Sequence, residues 1–148
     1  MTLALDRDSG NQSWVGVYYI LDASLPIQIH LATIVPAFLI GTWMIFASRK
    51  GSTAHRAFGY LYLTLMTVTS IAALFIHETN PSGPFGWSWI HLFVPLTLFG
   101  VYGAIVTART HDVRGHRNSM LGVYFGGMMI AGGLAFLPGR IMHTLFFG

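Results

Sequence analysis

The sequence predicts an all-α integral membrane protein, a bundle of four transmembrane helices. Three observations carry that expectation. Four runs of mostly apolar residues lie along the 148-residue chain, each near the roughly 20 residues that a helix needs to cross a bilayer. Only 9% of the residues are charged, against roughly 25% in soluble domains, too few to coat a water-facing surface. The Lys and Arg residues stand in the breaks between apolar runs rather than inside them.

The expected spans are Leu25–Ala47, Phe58–Ile76, Trp87–Ala108 and Ser119–Leu137. Lipid offers the backbone no hydrogen-bond partner, so each must be a helix. Pro36 and Pro95 each remove one backbone donor and are expected to kink their helices. The connections are short, which makes neighbouring helices antiparallel. Arg49, Lys50 and Arg56 fall in the first connection, and Arg109, Arg114 and Arg117 in the third. That bias places both connections in the cytoplasm and both termini outside. Residues 1–24 form a polar tail and an interfacial segment carrying Trp14, Tyr18 and Tyr19, and residues 25–148 form the membrane domain. Phe85, Trp87 and Trp89 are expected to anchor the third span at the outer interface.

Composition also excludes. There is no Cys, so disulfides, thiolate metal sites and Cys nucleophiles are absent. The pI near 9.6 comes from eight Lys and Arg, whose loop positions suit lipid orientation and not nucleic acid. Asp6, Arg7 and Asp8 do not read as the start of a cleavable signal. Nothing resembles a nucleophile elbow or a pair of catalytic carboxylates, so no catalytic residue is assigned, and an electron carrier or accessory subunit is expected before a hydrolytic enzyme.

The chain contains an internal repeat. Ile29-His30-Leu31 recurs as Ile90-His91-Leu92, and His55-Arg56 as His116-Arg117, both at an offset of 61 residues. Phe38/Phe99, Ala47/Ala108 and Phe75/Phe136 keep the same register. Two tandem helical hairpins follow, about 25–77 and about 86–138, each pointing the same way through the membrane. His30 and His91 then lie at equal depth near the outer face, and His55 and His116 near the inner face. His77 and His143 join the outer group, and His111 lies in the inner loop.

These histidines mark the candidate site, because ionisable residues in spans are costly and usually face a bundle interior. At spacings of three and four, His55, Gly59, Tyr62, Met66, Ser70, Ala73 and His77 form one stripe, and His116, Met120, Tyr124, Gly127, Ala131 and Leu134 another. Facing helical histidines at one depth suit bis-imidazole ligation of haem b, with Arg56, Arg117 and Arg140 pairing with propionates. His30 with His91 is the favoured pair, since both lie more than a turn inside their spans; His55 with His116 is the second. The expected function is a small b-type cytochrome-like protein, moving electrons within or across the membrane, with a quinone or a larger redox complex as partner. Three other readings stand beside it. The four histidines, with His77 and His143 as alternative outer ligands, could hold non-haem Cu or Zn. Histidines at both faces could relay protons, although the span centres hold only Thr, Ser and Tyr. The His-Arg pairs could be interfacial residues of a non-catalytic accessory subunit, with Arg reaching headgroups.

The run Arg49-Lys50-Gly51-Ser52-Thr53-Ala54-His55-Arg56-Ala57-Phe58-Gly59 carries a resemblance, together with His30, Ile90-His91-Leu92, His116-Arg117-Asn118-Ser119-Met120 and Pro138-Gly139-Arg140. Over Leu25 to Arg140 the chain resembles the bacterial predicted membrane proteins known as domain of unknown function 2306. Its most specific element is Lys-Gly-x-x-x-His-Arg-x-x-Gly. The resemblance implies a four-helix protein of the bacterial cytoplasmic membrane and marks those His and Arg positions as its signature; it implies no activity.

Overall fold

The computed structural model describes residues 21–76, 89–138 and 143. Among them the structure is helical and contains no strand. Three helices are long and apolar enough to cross a membrane: Leu25–Phe46, Thr53–Leu74 and Ile90–Arg109.

Helix α1, Leu25–Phe46, begins with Pro at its first turn, where a missing N–H costs nothing. Pro36 lies inside it. Its far end is closed by Lys50, whose Nζ donates to the carbonyls of Met44 and, at 3.0 Å, Ile45. These are carbonyls that a helix end leaves open, and a cation suits that end of the dipole. Gly51, at φ 78°, supplies the left-handed step in the turn.

Helix α2, Thr53–Leu74, starts five residues before the expected Phe58. Ser52 caps it, its hydroxyl accepting from the His55 N–H at 3.1 Å. His55 and Arg56 are therefore in the first turn of a helix rather than in a loop.

Helix α3, Phe93–Arg109, is entered through a 3-10 turn, Trp89–Leu92. Pro95 sits in its first turn, where the missing N–H costs little, and the winding changes from 3-10 to α just before it. The exit from α3 is tight. The Asp112 N–H bonds the Thr107 carbonyl and the His111 N–H the Ala108 carbonyl, while His111 adopts φ 60°. That is the pattern that usually calls for glycine at a helix C-terminus. Asp112 then caps the next helix through the Gly115 N–H at 2.9 Å.

Helical backbone continues from there as α4, Val113–Leu121, a π-helical segment, Gly122–Ile130, and α5, Ala131–Ala135. The expected fourth span falls on this run, which is divided into three pieces and carries a polar first part.

α1 packs on α2, and α3 packs on α4 and the π segment; α2 then meets α3, and α1 meets the π segment. The core draws on α1, α2, α3 and the π segment: Ala37 and Met44, Tyr62, Leu63 and Met66, Val101 and Ala104, and Val123, Tyr124 and Met128. Small residues permit close approach. A Cβ on Gly100 would meet Val123 at 2.7 Å, and one on Gly127 would overlap the Thr97 hydroxyl. The outward surface is apolar too, with Leu39, Phe46, Tyr60, Phe99 and Tyr102 all exposed. A surface of that kind requires lipid around it.

Candidate functional site

His55 and His116 stand at one end of the helices, each in the first or second turn of the helix it belongs to. Both are half-buried, and they lie within electrostatic range of each other and of Lys50. Each ring is fixed through Nδ1. His116 Nδ1–H donates to the Ala104 carbonyl at 2.9 Å. His55 Nδ1 is 2.8 Å from the Ser48 hydroxyl, and Ser48 Oγ donates to the Met44 carbonyl at 3.3 Å. The Ser48 contact is the shorter of the two, and it holds the His55 ring through Nδ1 whichever atom carries the proton. In each ring Nε2 is the nitrogen that these hydrogen bonds do not use. Anchoring one ring nitrogen in this way is how proteins commonly orient a ligating histidine. Arg56 and Arg117 follow directly in sequence and are exposed.

The other pair is arranged differently. His30, half-buried in α1, donates from Nδ1 to the Thr69 carbonyl of α2 at 3.1 Å. Beside it Thr33 and Thr69 join hydroxyls at 2.6 Å. His91 is buried in the 3-10 turn and donates from Nε2 to the Ile76 carbonyl at 3.0 Å. Both rings thus dock on the same stretch of chain, seven residues apart, about two helical turns. They engage it through opposite nitrogens. The 61-residue correspondence does not extend to these hydrogen bonds, and the caps Ser52 and Asp112 are 60 apart.

His143 is half-buried. His77 and Arg140 lie outside the described residues, as do Trp14, Tyr18, Tyr19, Phe85 and Trp87. Among the described residues no group of three His, Asp or Glu converges. An apolar groove of about 280 Å³ runs between α1 and α2, past Pro26, Ile29, Val68 and Phe75, and no histidine lines it.

The predicted stripes hold. Tyr62, Met66 and Ser70 are buried on α2, Tyr124 on the π segment, and the other described members are half-buried. Sequence reasoning missed Ser48 and Lys50, which support His55 and the end of α1. Nothing in their spacing announces this, because both act across a turn.

A family model described as "Predicted membrane protein (DUF2306)" matches residues 27–136. No curated protein and no solved structure matches the chain.

Proposed function

The chain belongs to this DUF2306 family of predicted membrane proteins, and from that premise we propose that it is a small b-type cytochrome-like protein that binds haem through paired histidines. The observation that carries the proposal is the His55–His116 pair. Two half-buried imidazoles from different helices lie within electrostatic range of one another, each held by Nδ1, with Nε2 as the nitrogen that would serve iron. Haem needs only two axial ligands from the protein, whereas structural Zn uses four. With no triad of His, Asp or Glu among the described residues, a two-ligand cofactor is the better match than Cu or Zn. Arg56 and Arg117 supply cations for propionates at the headgroup level. The pair His30 and His91 is the weaker site, because His91 Nε2 already serves the Ile76 carbonyl.

In this reading the chain crosses the bacterial cytoplasmic membrane four times as two tandem hairpins, the run from Val113 to Ala135 being the fourth crossing. The basic end faces the cytoplasm and both termini face out. One electron at a time passes between the haem and a quinone or a larger redox complex.

The test is a reduced-minus-oxidised visible spectrum of the detergent-purified protein, reconstituted with added haem. A sharp low-spin α-band that disappears in both His55→Ala and His116→Ala is expected. A protein that takes up no haem, or an α-band that survives both substitutions, sinks the proposal.

A further inference from the structure

Thr42 and Tyr124 join hydroxyls at 2.7 Å, linking α1 to the π segment. Thr42 Oγ1 also donates to the Phe38 carbonyl at 2.7 Å. Its single proton goes there, so Tyr124 is the donor to Thr42. The Tyr124 oxygen is left with acceptor capacity, and among the described residues Thr42 is its hydrogen-bond partner.

The Tyr62 hydroxyl is in the complementary position. It is the one buried side-chain polar atom among the described residues without a hydrogen-bond partner. Its residue is 1% exposed, and Tyr124 is 5% exposed. The two rings converge on one point. A Cβ on Gly41 would lie 2.8 Å from Tyr62 Cε2 and 2.9 Å from Tyr124 Cδ2. Gly41 is five residues from the end of α1, about 8 Å inside the helix. At that depth lipid offers no partner, and an isolated hydroxyl is strongly disfavoured. Buried polar groups that look unpaired in a protein are commonly paired through water.

We propose that one water molecule is bound between the hydroxyls of Tyr62 and Tyr124. It accepts from Tyr62 and donates to Tyr124. The directions then run without conflict from Tyr62 through water, Tyr124 and Thr42 to the Phe38 carbonyl, joining α2, the π segment and α1. The guest must both accept and donate, which water does and a carbonyl oxygen cannot. The site is separate from the paired histidines and does not depend on haem.

A double-mutant cycle with Tyr62→Phe and Tyr124→Phe, on cofactor-free protein in detergent, tests it. Each change removes a hydroxyl and keeps the ring. Each single variant is expected to lower the thermal midpoint, and the double variant to fall no further than the worse single one. A raised midpoint in Tyr62→Phe would mean an unpartnered hydroxyl, and additive losses would mean no shared water; either overturns the proposal. A high-resolution experimental structure should hold one water within hydrogen-bond distance of both oxygens. Direct contact between the two hydroxyls overturns it as well.

Discussion

His116 fastens the start of α4 to α3: its Nδ1–H donates to the Ala104 carbonyl at 2.9 Å, from a helix that has barely begun to one that is nearing its end. The bond separates two roles of one ring, because structure uses Nδ1 and iron would use Nε2. His116→Asn keeps an N–H near the carbonyl and removes the iron ligand. Thermal unfolding should move little in that variant while the low-spin spectrum is lost. His116→Ala should lose both, with a stability cost of about 1–3 kcal/mol for the uncompensated interior. Equal destabilisation by the two substitutions would show that the hydrogen bond is not what His116 contributes.

Glycine content alone does not say which glycines matter, and the structure sorts them. Gly41 faces two tyrosine rings closer than 3.0 Å to any added Cβ, whereas Gly122 has nothing within 4 Å. Gly41→Ala should destabilise by about 1–3 kcal/mol through overpacking. Gly122→Ala should be neutral or stabilising by up to about 1 kcal/mol, since Ala favours helix over Gly. The contrast can be read from unfolding midpoints in one detergent. Equal effects at the two positions would contradict the packing described.

Much of the fold was legible because hydropathy and spacing report burial directly. α1 was expected to end at Ala47 and ends at Phe46, and the stripe through Tyr62, Met66 and Ser70 is buried as its period demands. The start of α2 was missed because a cap decides it. Ser52 organises a polar first turn that hydropathy reads as loop. The π winding of Gly122–Ile130 was not legible, since the same residues also satisfy an α-helical period. The histidines were found by their repeat. Their ring partners are mostly backbone carbonyls, which carry no side-chain signature, so the difference between the two pairs appears only in three dimensions.

The turn after α3 holds a residue in a conformation that suits glycine better. His111 sits at φ 60°, where a Cβ costs roughly 1–2 kcal/mol. His111→Gly should therefore stabilise the protein by about 1 kcal/mol, read as a rise in the unfolding midpoint. The companion His111→Val, branched at Cβ, should lower it. A fall with glycine would mean that the His111 side chain contributes more than its backbone strain removes.

The crossing number can be decided with single cysteines, because the chain has none of its own. Thr53 and Thr110 are exposed at the two basic turns. In Thr53→Cys and Thr110→Cys, a membrane-impermeant maleimide should label only from the cytoplasmic side, as the Lys/Arg bias requires. Ser9→Cys should label only from the opposite side. Thr144→Cys then reports on the run from Val113 to Ala135. If that run crosses the membrane, Thr144 shares the side of Ser9. If only the three long helices cross, it shares the side of Thr53 and Thr110. The apolar exposed flank of that run, with Phe125, Met129 and Ile130, favours crossing, since those side chains would otherwise face water. Labelling of Thr144→Cys from the cytoplasmic side would overturn the four-span reading and leave the His55–His116 pair, at the basic end, untouched.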